Sequence, residues 1–215
     1  MNQDYSSVVL QKCRDLMAER VNLSMLAMIN EAEDKLSDMA NKEKSLGKAV
    51  QYYDAVRLLR IKQHEMQIRF EKRFISIFQY RTENFLKFRN DTDITLSRVG
   101  HSSFTKGDKY IEERKIINNS IINIKQDCKS VLLNIDKKMG ALIKDVDVNF
   151  SDNPLQPETI FEAFWESCRD IRMKNHVRLL LVNLFEKYIT LDVKNIYQEL
   201  DSQLDLLASK KISEN

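Results

Sequence analysis

Residues 45–87 read SLGKAVQYYDAVRLLRIKQHEMQIRFEKRFISIFQYRTENFLK. Apolar residues recur at Val50, Tyr53, Val56, Leu59, Met66, Phe70, Phe74, Ile77, Phe78, Phe85 and then Phe88. Steps of three, four and seven hold such residues on one face of a helix with 3.6 residues per turn. No proline interrupts the run, and Ser45 is placed to cap its start. A helix of this length is a rod of roughly 60 Å at 1.5 Å per residue. The stretch therefore predicts the spine of an all-α protein.

The same period appears on both sides of it. Over residues 4–43 the stripe is Val9, Cys13, Leu16, Met17, Val21, Met25, Met28, Ala32, Leu36 and Met39. Methionine at this density packs adaptably, and its spacing reads as a core face. Over 108–143 it is Tyr110, Ile117, Ile121, Ile124, Cys128, Val131, Leu132, Ile135, Met139 and Leu142. Isoleucine favours strands, yet an unbroken helical period over nine turns overrides that preference. Pro157 sits where a first helical turn accepts it, opening a helix over 157–172 with Ile160, Phe161, Phe164, Trp165, Cys168 and Ile171. A last helix over 175–209 carries Val177, Leu180, Leu181, Leu184, Phe185, Tyr188, Leu191, Ile196, Tyr197, Leu200, Leu204 and Leu207. Between these rods, 90–107 is the most loop-like stretch, and Asn153-Pro154 marks a turn.

Composition agrees. The chain has 215 residues but only 4 Gly and 2 Pro, where average usage would give about 15 and about 11. That shortage argues against sandwiches, propellers and doubly wound sheets, which need tight turns. It argues equally against glycine-rich phosphate cradles. The expected architecture is an elongated antiparallel bundle of four to five helices, three of them long. Residues 1–215 are read as one helical domain. Its sub-halves would be a hairpin over 1–89 and a bundle over 108–209, joined by the loop 90–107.

Candidate chemistry is sparse. The three cysteines, Cys13, Cys128 and Cys168, are widely spaced and fall on apolar stripes, so they read as buried thiols rather than a disulfide framework or zinc site. His64, His101 and His176 are scattered, and no Glu-x-x-His pair marks a carboxylate-bridged metal centre. Glu158, Glu162 and Glu166 line one helical face and read as solvated. No catalytic residue, metal site, cofactor or small-molecule substrate is expected. With no leader-like N-terminus and no apolar run near ~20 residues, the reading is cytoplasmic and without a membrane span.

Net charge is only +2, but it is unevenly distributed. Residues 51–89 carry 9 basic and 4 acidic side chains, against 8 and 11 over 151–215. The simplest expectation is that these segments pack side by side with compensating charge. The sharper one is a basic flank formed by Arg57, Arg60, Arg69, Lys72 and Arg73, open to an acidic partner. Nearby aromatic residues follow the core period, which makes them poor stacking platforms for nucleic acid.

The block Asn153-Pro154-Leu155-x-Pro157-Glu158, then Ala163-Phe164, Val177-Arg178-Leu179-Leu180-Leu181 and Leu184-Phe185-Glu186, resembles a proteobacterial family. That family is the domain-of-unknown-function family sixteen-thirty-one, whose members often carry the name thymidine phosphorylase. Tyr53-Asp54-Ala55-Val56-Arg57-x-Leu59-Arg60, Leu96-Ser97-Arg98-Val99 and Ile196-Tyr197-x-Glu199-Leu200 are similar to it as well. The resemblance spans about 10–205 and implies a bacterial cytoplasmic helical protein with a regulatory role and no established activity. Family members are usually several times longer. They tend to be acidic after the Leu-Ser-x-Val stretch, where this chain has Gly100-His101-Ser102-Ser103. The phosphorylase name conflicts with a chain lacking both an α/β pattern and a phosphate cradle.

The expected function is a non-catalytic regulatory or protein-interaction module, binding another protein or a second copy of itself. The candidate surface is Arg57, Arg60, Arg69, Lys72, Arg73, Ser97, Arg98 and His101. The alternative is nucleic-acid or anionic-ligand binding through the same basic flank.

Overall fold

A computed structural model describes residues 2–87, 110–143, 153–169 and 173–213. Among them lie six helices: α1 (Asn2–Lys42), α2 (Leu46–Lys87), α3 (Ile111–Asp127), α4 (Lys129–Ile143), α5 (Pro157–Arg169) and α6 (Asn175–Ser213). No strand occurs among the described residues, and the long helices pack on one another as an all-α bundle. The loop expected over 90–107, with Ser97, Arg98 and His101, lies outside the described residues.

Cross-helix pairs set the directions. Arg60 Nε donates to Glu33 Oε2 at 2.8 Å and Tyr53 Oη to Asn41 Oδ1 at 2.6 Å, so α1 and α2 form an antiparallel hairpin. Its turn is held by Ser45, whose carbonyl accepts from the N–H groups of Lys48 and Ala49. On its other flank α1 meets α6, also antiparallel, through Arg20 with Glu199 and Glu31 with Lys187. Helix α5 runs antiparallel to α2, pairing Glu166 with Arg73 and Glu162 with Arg81. Helices α3 and α4 run parallel to α6: Glu113 pairs with Arg178 at one end and Lys138 with Asp201 at the other.

The helix expected over 108–143 is two helices, divided at Cys128. Its φ of −101° and ψ of 13° lie outside the helical well. Even so, its N–H donates to the Ile124 carbonyl and its own carbonyl accepts from Leu132, both at 2.9 Å. The result is a bend at one residue, with no glycine or proline to announce it. Ile117 and Ile124 before it and Leu132, Ile135 and Met139 after it all remain buried. The third long helix is therefore α6, with 39 residues, alongside α1 with 41 and α2 with 42.

Buried residues from all six helices form one continuous cluster. The methionines Met17, Met25 and Met28 are fully enclosed, as their spacing predicts. Phe70, Phe74 and Phe78 stack along α2 with ring centroids 5.8 and 6.0 Å apart. Phe164 of α5 lies flat on Phe185 of α6 at 3.7 Å. Each fully buried aliphatic or phenyl side chain contributes roughly 1.5–3 kcal/mol. Four residues assigned to stripes are outside the core instead: Met39, Val50, Tyr53 and Leu191 are 41%, 49%, 49% and 69% exposed. Their spacing reads as helical, but the described residues leave all four largely uncovered.

The turn before α5 is itself buried. Asn153 accepts the Leu155 N–H through its side chain at 3.0 Å, and Thr159 Oγ1 donates to the Pro154 carbonyl at 2.8 Å. The Asn153 and Gln156 amides both donate to Asp136 Oδ1, at 2.7 and 3.2 Å, tying the turn to α4. Burial outweighs these two bonds and pushes the Asp136 carboxyl above its ordinary value.

Candidate interaction surface

Helix α2 has two apolar faces. The inner one carries Val56, Leu59, Met66, Phe70 and Phe74 and closes on α1 and α5. The outer one begins with Leu46, 81% exposed, and continues through Val50, Tyr53, Ile61 at 64% and Ile68 at 38%. Steps of four, three, eight and seven keep these five on a single side of the helix. Residues 46 to 68 extend roughly 33 Å along the axis.

The expected basic flank is largely committed to internal partners. Arg60 pairs with Glu33 of α1, Arg69 with Glu65 at 2.7 Å, and Arg73 with Glu166 of α5 at 3.5 Å. Arg57 and Lys72 are exposed and have no ion-pair partner among the described residues. Lys62 and Arg69 bracket Glu65, whose carboxyl their hydrogen bonds hold below its ordinary value. Arg69, Lys72, Arg73, Ser76 and Glu166 surround a cavity of about 320 Å³ between α2 and α5. A wider cleft of about 600 Å³ runs between α1 and α6, where Arg20 and Glu199 neutralise each other.

The glutamate row of α5 departs from its expected solvated role. Glu162 is buried and bonds Arg81 at 3.1 Å, Glu166 meets Arg73, and Glu158 meets Lys125 of α3. Ten of the thirteen residues of α5 are buried, so even its polar face is enclosed and draws cations from α2 and α3. The basic second segment and acidic C-terminal segment thus do pack side by side, as the simplest reading of their charges has it.

A second polar centre was not legible in the chain. Arg178 and Glu113, each 4% exposed, bond at 2.8 Å. The guanidinium also reaches Asn175 Oδ1 at 2.8 Å and lies 4.7 Å from the Tyr110 ring, which stands edge-on to Trp165. A shared helical period cannot reveal a pair 65 residues apart. Burial enforces the pairing, since either charge alone would be costly there. The outer α2 face did leave a sequence signal: Leu46, Ile61 and Ile68 fall off the core stripe yet repeat with each other.

The thiols are enclosed. Burial pushes Cys13 and Cys168 up to about 12, and raises Cys128 as well. His64 is exposed, and His176 stands edge-on to Tyr52 at 5.5 Å. No three potential metal-ligating side chains converge among the described residues. No helix among them is long and apolar enough to cross a membrane.

A family model described as protein of unknown function (DUF1631) N-terminal domain matches residues 6–206. No curated protein and no solved structure matches the chain.

Proposed function

The chain belongs to the DUF1631 N-terminal domain family, and on that premise we propose that it is a regulatory module that binds a polypeptide and performs no chemistry of its own. The observation that supports this is the outer face of α2. Leu46, Val50, Tyr53, Ile61 and Ile68 stand exposed in register on one rigid helix. Exposed apolar residues are ordinary when scattered, but aligned ones mark a contact surface. Helix α2 is also buttressed by α1 on one flank and α5 on the other, so the face is presented without an ordering cost. The enclosed thiols suit a reducing, cytoplasmic setting and offer no nucleophile at neutral pH.

Gel filtration of source-cell extract tests the proposal. The native chain is expected to elute well above its 25.3 kDa mass. Ile61→Glu with Ile68→Glu, both at exposed positions, should shift it to the monomer position. Elution of the native chain as a monomer, both in extract and when purified at high concentration, would overturn the reading.

The cavity between α2 and α5 favours a second reading, an anionic-ligand site. Arg69, Lys72, Arg73 and the Ser76 hydroxyl line it with Glu166; Arg69 and Arg73 keep their carboxylate partners, and Lys72 has no ion-pair partner among the described residues. A labelled single-stranded oligonucleotide should then bind with an affinity that falls steeply as salt rises, and Lys72→Glu should abolish it. No change in anisotropy at low salt would end this alternative.

A further inference from the structure

We propose that the outer face of α2 pairs with the same face of a second copy of the chain, the two helices antiparallel about a two-fold axis at His64. This rests on the polypeptide-binding reading and names its partner. The support is a self-complementarity that runs along the exposed surface of the helix.

Placing His64 on its counterpart brings Tyr53 opposite Ile75 of the second copy and Ile61 opposite Ile68. The same register sets Asp54 against Lys72, and Arg57 against Glu71. All of these lie within about two residues of one alignment, a shift of ~3 Å along the axis. Symmetry repeats every contact, so the pairing supplies four opposite-charge contacts around an isoleucine centre. A parallel pairing would instead set Arg57 on Arg57 and Lys72 on Lys72.

The charges involved are the ones the fold leaves unused. Asp54, Arg57, Glu71 and Lys72 are exposed and have no ion-pair partner among the described residues. Their neighbours Arg60, Lys62, Glu65, Arg69, Arg73 and Arg81 on the same helix are all engaged. Charges of both signs set among exposed isoleucines suit a symmetric antiparallel partner better than a uniformly acidic one. A contact built on one helix face lies at the small end of specific interfaces, so the dimer should be concentration-dependent.

Disulfide trapping of the purified full chain tests it. The three native thiols are buried, so an introduced surface cysteine is the only accessible one. His64→Cys should cross-link into a covalent dimer under mild oxidation, because the axis brings residue 64 to its own copy. Tyr53→Cys should stay uncross-linked, lying roughly 33 Å from its counterpart. Tyr53→Cys combined with Ile75→Cys should cross-link again. Circular dichroism checks that each variant, at exposed or half-buried positions, keeps its helices.

Sedimentation velocity supplies the charge test. Arg57→Glu should weaken dimerisation about tenfold, or 1.4 kcal/mol, and Arg57→Glu with Glu71→Arg should restore it. Cross-linking through Tyr53→Cys but not His64→Cys would overturn the antiparallel register. A purified chain that stays monomeric at every concentration would overturn the second copy as partner. If the extract still holds a larger complex in that case, the polypeptide-binding reading survives; if it does not, both fall.

Discussion

At the scale of single residues, burial sets the energetics. Glu113 and Arg178 are both enclosed, so each depends on the other for its charge. Arg178→Met should destabilise the chain by ~3–5 kcal/mol, because Glu113 is left buried and unpaired. Adding Glu113→Leu should recover most of that loss; urea unfolding measures both. Asp136 poses the opposite problem, a carboxylate whose native value is raised by burial. Between the ordinary aspartate value of about 3.9 and that raised value, the folded chain holds more protons than the unfolded one. Stability from this group therefore falls as pH rises through that window. Asp136→Asn keeps an acceptor for Asn153 and Gln156 but carries no charge. Its urea midpoint should exceed that of the native chain at pH 7, and the difference should vanish once acid has protonated Asp136. Neither group was legible in the sequence. Glu113 and Asp136 read as ordinary polar positions, because the partners that enclose them lie far along the chain.

At the scale of elements, a helix is easier to read than its surroundings. The stripe from Val9 to Leu36 in α1 predicts its buried face because a long rod with one apolar side has one way to lie. Three successive steps of three from Val50 to Leu59 carry the direction roughly half-way round the helix, which explains why Val50 and Tyr53 read as core while lying on the outer face. Nor could it show that α5 would be walled in on nearly every side, its glutamates answered by Lys125, Arg81 and Arg73. The bend at Cys128 left no trace, since no breaker residue causes it. Local sequence does decide one element property that can be improved. Gly47 lies in the first turn of α2, and a Cβ there would meet nothing within 4 Å. Gly47→Ala should raise stability by about 0.5–1 kcal/mol by restricting the unfolded chain. A thermal melt showing a loss instead would mean that the turn needs glycine's freedom.

At the scale of the whole molecule, one continuous core joins the first helix to the last. Trp165, the chain's one tryptophan, is buried in that core and stands edge-on to Tyr110. Its fluorescence and the far-ultraviolet helix signal should therefore change together during unfolding, giving coincident midpoints in urea. A hairpin of α1 and α2 that melted separately would split the two curves. The all-α class was legible from glycine and proline scarcity together with the stripes. The parallel course of α3–α4 and α6 was not, because direction depends on which buried pairs form across the bundle.

The pairing of α1 with α6 also bears on how the chain is made. Arg20 and Glu199, which help hold these helices together, are 179 residues apart. At ordinary translation rates roughly 10–40 s separate the emergence of one from the other. During that interval α1 can close against α2, but the remainder of its methionine-rich stripe has no wall to lie on. The nascent hairpin must persist half-covered until α6 leaves the ribosome, and over that interval it is open to misassembly.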